Sequence, residues 1–413
     1  MQNRVVITGM GVISPLGLDV ENFWANLTSG ISGVDYITFF DTENYATRIA
    51  AEIKDFNPTD FLEKKEARRM DRFTHFAMAA AGQAIKDAEL KLETLNRERI
   101  GVILGSGIGG IGTLEEQHNI LINRGPDRIS PFFITMLIPN MGAGQIAIAY
   151  GLRGYNMATV SACASGNNAL GDAYSLIKQG YTDVMIAGGA EAPITPLAIA
   201  GFCSMKAMST YNEEPKKASR PFDSNRDGFV IGEGAAMLVL EKLEHALVRG
   251  AKIYAEIAGY GCTCDAYHIT APEPDGKGAA KAMELAMLDA GVSTSDIDYI
   301  NAHGTSTPLG DKVETMAIKH LFNGSTGRLA VSSTKSMTGH LLGAAGGVEA
   351  VTCVMTICKK VVPPTINYDH PDPECDLDYV PNKARPMPVK IALNNSLGFG
   401  GHNVSLLFRE FEG

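Results

Sequence analysis

Thr159-Val160-Ser161-Ala162-Cys163-Ala164-Ser165-Gly166-Asn167-Asn168-Ala169-Leu170 passes from an apolar run through small residues into a helical pattern. Residues 158–178 therefore read as a strand, a serine-rich turn and a helix containing Gly and Ala. The same order returns at residues 330–357, where Ser332-Ser333 echoes Ser161-Ala162. Residues 100–107 resemble 297–305 in the same way. Strands alternating with helices mean α/β layering, and the repetition predicts two related halves. The boundary is expected near Arg249-Gly250-Ala251, dividing residues 1–250 from 251–413. No Pro-rich or low-complexity linker separates the halves, so they should pack as one body.

With 45% apolar and 20% charged residues, the 413-residue chain has the composition of a globular protein. Its 44 glycines cluster at the ends of apolar runs and predict tight turns. No apolar run reads as long and charge-poor enough to span a bilayer, so no membrane association is expected. Met1-Gln2-Asn3-Arg4 leads straight into Val5-Val6-Ile7-Thr8-Gly9, which leaves no room for a signal peptide and predicts a cytoplasmic protein. A net charge of −10 argues against nucleic-acid binding. The seven cysteines are an odd number, and no disulfide framework is expected. Cys262-Thr263-Cys264 lacks a second ligand pair at zinc-site spacing, so no metal site is assigned. Cys353 and Cys358 fall in an apolar helical run and read as core.

Cys163 stands where a strand meets a helix N-terminus, whose partial positive charge should favour thiolate. His303, in Ala302-His303-Gly304-Thr305, and His340, in Gly339-His340-Leu341, occupy two further turns beside glycine. Singly, each of the three is more often structural. Together, in turns where small residues let a substrate approach the backbone, they suggest acyl transfer on a thioester. Gly105-Ser106-Gly107-Ile108-Gly109-Gly110 fits the dinucleotide pattern G-x-G-x-x-G. About 20 residues on, however, where that pattern wants an acid ending a second strand, stands the loop Arg124-Gly125-Pro126-Asp127-Arg128. The better reading is a pocket-lining turn with Ile108 as an apolar plug. Gly398-Phe399-Gly400-Gly401 can turn backbone N–H groups toward a ligand with an aromatic ring nearby, while His402 reads as structural. Lys335 and Glu349 flank His340 and read as an ion pair rather than as proton carriers. Lys64, Lys65, Arg68, Arg69 and Arg72 follow the spacing of one helix face. That face is either simply solvated or a dock for an anionic partner.

In combination these residues resemble the β-ketoacyl-[acyl-carrier-protein] synthases, above all the elongating ones of fatty acid synthesis. The likeness runs from Val5-Val6-Ile7-Thr8-Gly9-Met10-Gly11 through Ser219-Arg220-Pro221-Phe222-Asp223 and Arg226-Asp227-Gly228-Phe229 to Pro373-Glu374-Cys375-Asp376. It implies a thiolase-like α/β fold of two similar halves in five layers, α-β-α-β-α, as a homodimer. It implies Cys163 as the acylated nucleophile, His303 and His340 as the pair driving malonyl decarboxylation, Lys335 as their support and Phe399 as a gate. Thr305 and Thr307 match positions touching the phosphopantetheine arm, Ile108 and Phe202 bound the acyl pocket, and Thr270 belongs to the substrate contacts. Lys64, Lys65, Arg68 and Arg69, with Arg124, Arg128 and Lys206, match the docking surface for acyl- and malonyl-loaded carrier protein. No cofactor and no metal are implied, although Asn301 and Glu349 offer oxygens to a monovalent cation. Ala271 stands where relatives often have serine. Histidine at both 303 and 340 fits elongating synthases better than the initiating enzyme. The alternatives are a ketosynthase of a polyketide or other specialised pathway, a coenzyme A thiolase, a non-enzymatic carrier-binding protein and a cysteine hydrolase. The thiolase reading lacks its second cysteine, the intact Cys163, His303 and His340 speak against a mere binder, and a hydrolase lacks an orienting Asn or Asp.

Overall fold

A computed structural model describes residues 3–323 and 327–413; Met1 and Gln2 of the opening segment lie outside them. The first half of the main sheet contains β1 (Val5–Ile13), β2 (Ile100–Gly105), β3 (Asn156–Thr159), β4 (Val184–Glu191) and β5 (Gly234–Lys242). The second contains β6 (Ala255–Cys264), β7 (Tyr299–Asn301), β8 (Ala330–Ser332), β9 (Ile391–Gly398) and β10 (His402–Arg409). Outward from the centre the order is β1-β5-β4-β2-β3 on one side and β6-β10-β9-β7-β8 on the other. The two sequences are identical with five added to each number. Strand directions repeat as well: β2 is parallel to β3 and β4, as β7 is to β8 and β9, and the remaining pairs within each half are antiparallel.

The halves meet where residues 5–7 of β1 pair with 255–257 of β6. Beyond that short seam helices fill the space between them. The helices that concern the site are α1 (Arg72–Asp87), α2 (Ile111–Arg124), α3 (Asn140–Tyr150), α4 (Ser165–Lys178), α5 (Pro196–Ser204), α6 (Lys277–Ala290), α7 (Pro308–Phe322) and α8 (Ala345–Lys359). α4 and α8 touch both half-sheets, α1 and α3 cover the outer face of the first, and α6 covers that of the second with α7 beside it. The core clusters follow these layers: one between α1, α3 and the first half-sheet, one around α4 and α8, and one under α6 and α7. A helix facing a sheet on two sides must be apolar nearly all round. Accordingly, every residue of α8 from Ala345 to Ile357 is buried.

That burial corrects one expectation. Residues 342–359 are apolar and charge-poor enough to cross a membrane by composition, yet 89% of the stretch lies inside the fold. It is the central helix of a layered protein. Cys358, expected in the core with Cys353, lies exposed at the end of the same helix, whereas Cys353 is buried.

The basic face also differs from expectation. Lys64–Ala67 is a single helical turn, and α1 begins afresh at Arg72 with Asp71 accepting from the Phe73 N–H at 3.2 Å. Arg72 therefore points inward. Its guanidinium grips buried Glu233 at 2.7 and 2.8 Å and lies over the rings of Phe39 and Phe76. Lys64, Lys65 and Arg68 remain exposed, and Arg69 covers the ring of Phe132 at 4.8 Å.

Candidate active site

In both halves a 3-10 turn leads directly into the inner helix, Ala162–Ala164 before α4 and Leu342–Ala344 before α8. Ala162 has φ +51° and Leu342 has φ +48°, a left-handed conformation that costs non-glycine residues about 1 kcal/mol or more. Thus Cys163 and Gly343 occupy equivalent positions. The sequence echo is shifted from the one expected: Leu342, and not Ser333, answers Ala162. Nine residues, 333–341, separate β8 from its turn where Val160 and Ser161 alone do so in the first half, and this longer insertion carries Lys335 and His340. The helix starts pack so closely that a Cβ at Gly166 would fall 2.8 Å from the Gly343 carbonyl oxygen.

The insertion brings His340 Nε2 to 3.0 Å from Cys163 Sγ. Its backbone is clamped between two residues of the Phe229–Gly232 region: the His340 N–H donates to the Val230 carbonyl at 2.7 Å, and the Gly232 N–H donates to the His340 carbonyl at 2.9 Å. His303 follows β7. Its N–H and that of Gly304 each donate at 2.8 Å to the carboxylate of Glu314 on α7. The two imidazoles stand edge to face with centroids 5.3 Å apart, and Phe229 meets the other side of His340 at 5.5 Å. Phe399 sits at the tip of the β9–β10 hairpin, where Gly400 and Gly401 have φ +88° and +77°. Its N–H, with that of Cys163, faces the sulfur.

One cavity of about 360 Å³ is lined by Cys163, His303, His340 and Phe399 together with Ile108, Phe202, Thr270, Thr305 and Thr307. Its lining is mostly apolar and includes Phe229, Met205 and Leu342, which the sequence reading did not single out. Lys335 lies behind the histidines, where it pairs closely with Glu349; both are buried. Asn301 Oδ1 and Glu349 Oε2 are buried and accept no hydrogen bond. Arg124, Arg128 and Lys206 are exposed.

Electrostatics revise the expectation of a ready thiolate. Burial pushes the Cys163 thiol up to about 12, against smaller lowering effects of the Lys335 charge and the two backbone N–H groups. Burial, reinforced by the Lys335 charge, holds both imidazoles well below their usual value, so both are neutral near pH 7. Nδ1 of each ring is buried without a partner. A proton there would be an orphaned donor, so each ring carries it on Nε2. The site thus holds a protonated thiol and two neutral N–H donors.

The glycine turn after β2 answers the dinucleotide question. Its N–H groups from Gly107, Ile108 and Gly109 already surround an anion, the carboxylate of Glu191, at 2.6, 3.1 and 3.3 Å. Glu191 is the last residue of β4 and lies outside the stretches that the sequence reading singled out. Glu314 also escaped notice, although an acid at i+3 from Asp311 among Val313, Ala317 and Ile318 marks a polar group on the buried face of α7.

Layered halves, a buried cysteine and paired imidazoles over an apolar cavity are the makings of a thiolase-like condensing enzyme. The beta-ketoacyl synthase N-terminal domain profile matches residues 2–246 and the C-terminal domain profile residues 254–369. The chain belongs to the beta-ketoacyl synthase family and is by class an acyltransferase. It is 55% identical over 411 residues to 3-oxoacyl-[acyl-carrier-protein] synthase 2 of Synechocystis sp., covering 100% of this chain and 99% of the relative. It is 56% identical over 409 residues to the protein of the same name from Staphylococcus aureus, covering 99% of each. Among solved structures it matches a type II PKS acyl-carrier protein in complex with its ketosynthase bound to the hexaketide. That match has 37% identity and a TM-score of 0.92, with both chains fully covered.

Proposed function

We infer that this protein catalyses the decarboxylating Claisen condensation of fatty acid elongation. It joins malonyl-[acyl-carrier-protein] to an enzyme-bound acyl group and yields 3-oxoacyl-[acyl-carrier-protein]. The observation that carries this reading is the 3.0 Å contact of His340 with Cys163 beside a second neutral imidazole in one apolar cavity. The near full-length likeness to synthase 2 proteins supports the substrate assignment.

In the first half-reaction the Cys163 sulfur attacks the thioester carbonyl of an acyl carrier. The carbonyl's bond to the carrier sulfur breaks, and the thiol proton ends on the departing carrier thiol. The N–H groups of Cys163 and Phe399 receive the oxyanion, each such donor being worth roughly 3–4 kcal/mol. His340 Nε2–H, donating to sulfur, eases loss of the thiol proton. In the second half-reaction the malonyl thioester oxygen takes the Nε2–H donors of His303 and His340. Carbon dioxide departs, its bonding electrons become the enolate, and the enolate carbon attacks the acyl-Cys163 carbonyl. Cys163 leaves as thiolate and regains a proton from solvent. Lys335 and Glu349 support the imidazoles, Thr305, Thr307 and Thr270 contact the substrate arm, Phe399 gates entry, and Ile108 and Phe202 bound the acyl chain.

Exposed Lys64, Lys65 and Arg68, with Arg69, Arg124, Arg128 and Lys206, suit an acidic carrier protein. A homodimer is supported by β3, a sheet-edge strand with Met157 exposed on it and Tyr155 and Val160 exposed at its two ends. We assign the halves to residues 1–250 and 251–413, and the cytoplasm as the setting, where Cys163 stays reduced. The polyketide neighbour supports a second reading, a ketosynthase of a specialised pathway. Incubation with acyl carriers of graded length plus malonyl carrier, read by product mass, tests both. Saturated 3-oxoacyl products over a range of chain lengths are expected. Hydrolysis alone would overturn the condensing role, and acceptance only of poly-oxo chains would select the second reading.

A further inference from the structure

Glu191 is fully buried at the end of β4 and has no cationic partner among the described residues. Five donors hold its carboxylate. Oε1 accepts from Ser106 Oγ at 2.8 Å, the Ile108 N–H at 3.1 Å and the Gly109 N–H at 3.3 Å. Oε2 accepts from the Gly107 N–H at 2.6 Å and the Gly343 N–H at 2.9 Å. The donors come from two turns far apart in sequence. One carries Ile108 after β2; the other carries Leu342 just beyond His340, and both side chains line the cavity of Cys163. The approach leaves no room for other residues. A Cβ at Gly343 would fall 2.4 Å from the Gly107 nitrogen and 2.6 Å from Glu191 Oε2.

A carboxylate buried without a counter-ion is costly unless its hydrogen bonds are complete. The turns are therefore held to the one geometry that completes them. We propose that Glu191 is a positioning residue for chain-length selection: it fixes Ile108 at the pocket wall and ties its distance to the turn beyond His340. Glu191 reaches no substrate. It acts through the backbone of the residue that bounds the chain. This rests on the condensing reading above.

Glu191→Gln keeps shape and one acceptor oxygen but turns an NH2 toward two backbone donors. With graded acyl carriers and malonyl carrier, the ratio of kcat/KM for long over short chains should rise roughly tenfold as Ile108 is released. Ser106→Ala removes one donor with little risk to the fold and should shift the ratio the same way by less. Iodoacetamide labelling of Cys163 should continue in both variants. A purely structural role would lower all chain lengths in parallel and leave the ratio unchanged; that result would overturn the proposal. If Glu191→Gln does not fold, Ser106→Ala decides by the same ratio. If the parent enzyme itself makes no 3-oxoacyl product, the condensing reading fails instead.

Discussion

At the scale of single residues the site depends on how deeply three groups are buried. Cys163 and His303 are each 8% exposed and His340 3%. All three were legible in the sequence because each stands in a turn of small residues at the end of an apolar run. Their protonation was not legible. A helix N-terminus pulls a thiol toward thiolate, but burial pulls harder in the opposite direction, and burial is decided by Phe399, Phe229 and Leu342 arriving from elsewhere in the chain. The consequence is a division of labour that separate variants should expose. Cys163→Ala should form no acyl-enzyme when radiolabelled acyl carrier is added, and label on the variant would remove Cys163 from the mechanism. His303→Ala should still acylate, yet release carbon dioxide from malonyl carrier roughly 100-fold more slowly. Unchanged release would take His303 out of the decarboxylation.

At the scale of elements, the turns between strands and helices are where reading from sequence was strongest and also where it slipped. The strand-turn-helix order around Cys163 and His340 is present. The slip came from matching Ser332-Ser333 to Ser161-Ala162, when nine residues against two in the first half separate strand from turn and delay the equivalent turn to Leu342. An insertion of that length inside a weak repeat leaves no periodic signal. The basic segment is a similar case. Helical spacing grouped Arg72 with Lys64, Lys65, Arg68 and Arg69, but Asp71 starts a new helix and turns Arg72 onto Glu233. The buried acid lies 161 residues away, out of reach of any local pattern. With Arg72 committed to the interior, the exposed charges at 64, 65 and 68 are free to meet a partner. Lys65→Glu combined with Arg68→Glu should raise KM for carrier-bound substrates about tenfold at low salt, with little effect on small thioesters. An equal loss on both substrate types would count against docking at this turn.

At the scale of the whole molecule, duplication makes the site. Each half supplies one 3-10 turn at the centre, and the sheet order repeats on either side of the β1–β6 seam. The alternation of strands and helices was enough to read two halves. The seam itself and the all-round burial of α8 depend on how the halves close, which no stretch of sequence contains. Closure buries His303 and His340 as neutral groups, and this has a cost that depends on pH. Their folded values lie well below 6.5, whereas the unfolded chain takes up protons near that value. The unfolded state therefore binds more protons below pH 6.5, and stability falls as the solution is acidified. The slope for each imidazole approaches about 1.4 kcal/mol per pH unit only well below pH 6.5 and averages about half that between pH 7.5 and 5.5, so acidification over that interval should cost up to about 3 kcal/mol for the pair. Buried Glu191, Glu314 and Glu349 titrate in the opposite sense, because burial raises their values and protonation then favours the fold. The raw pH profile mixes the two effects, and comparison with a variant separates them. In urea unfolding, a His303→Asn, His340→Asn double variant should lose about 3 kcal/mol less than the parent over that interval, because Asn carries no titrating group. Parallel profiles for parent and variant would mean that the imidazoles are not buried as neutral donors, and the decarboxylation geometry would lose its electrostatic basis.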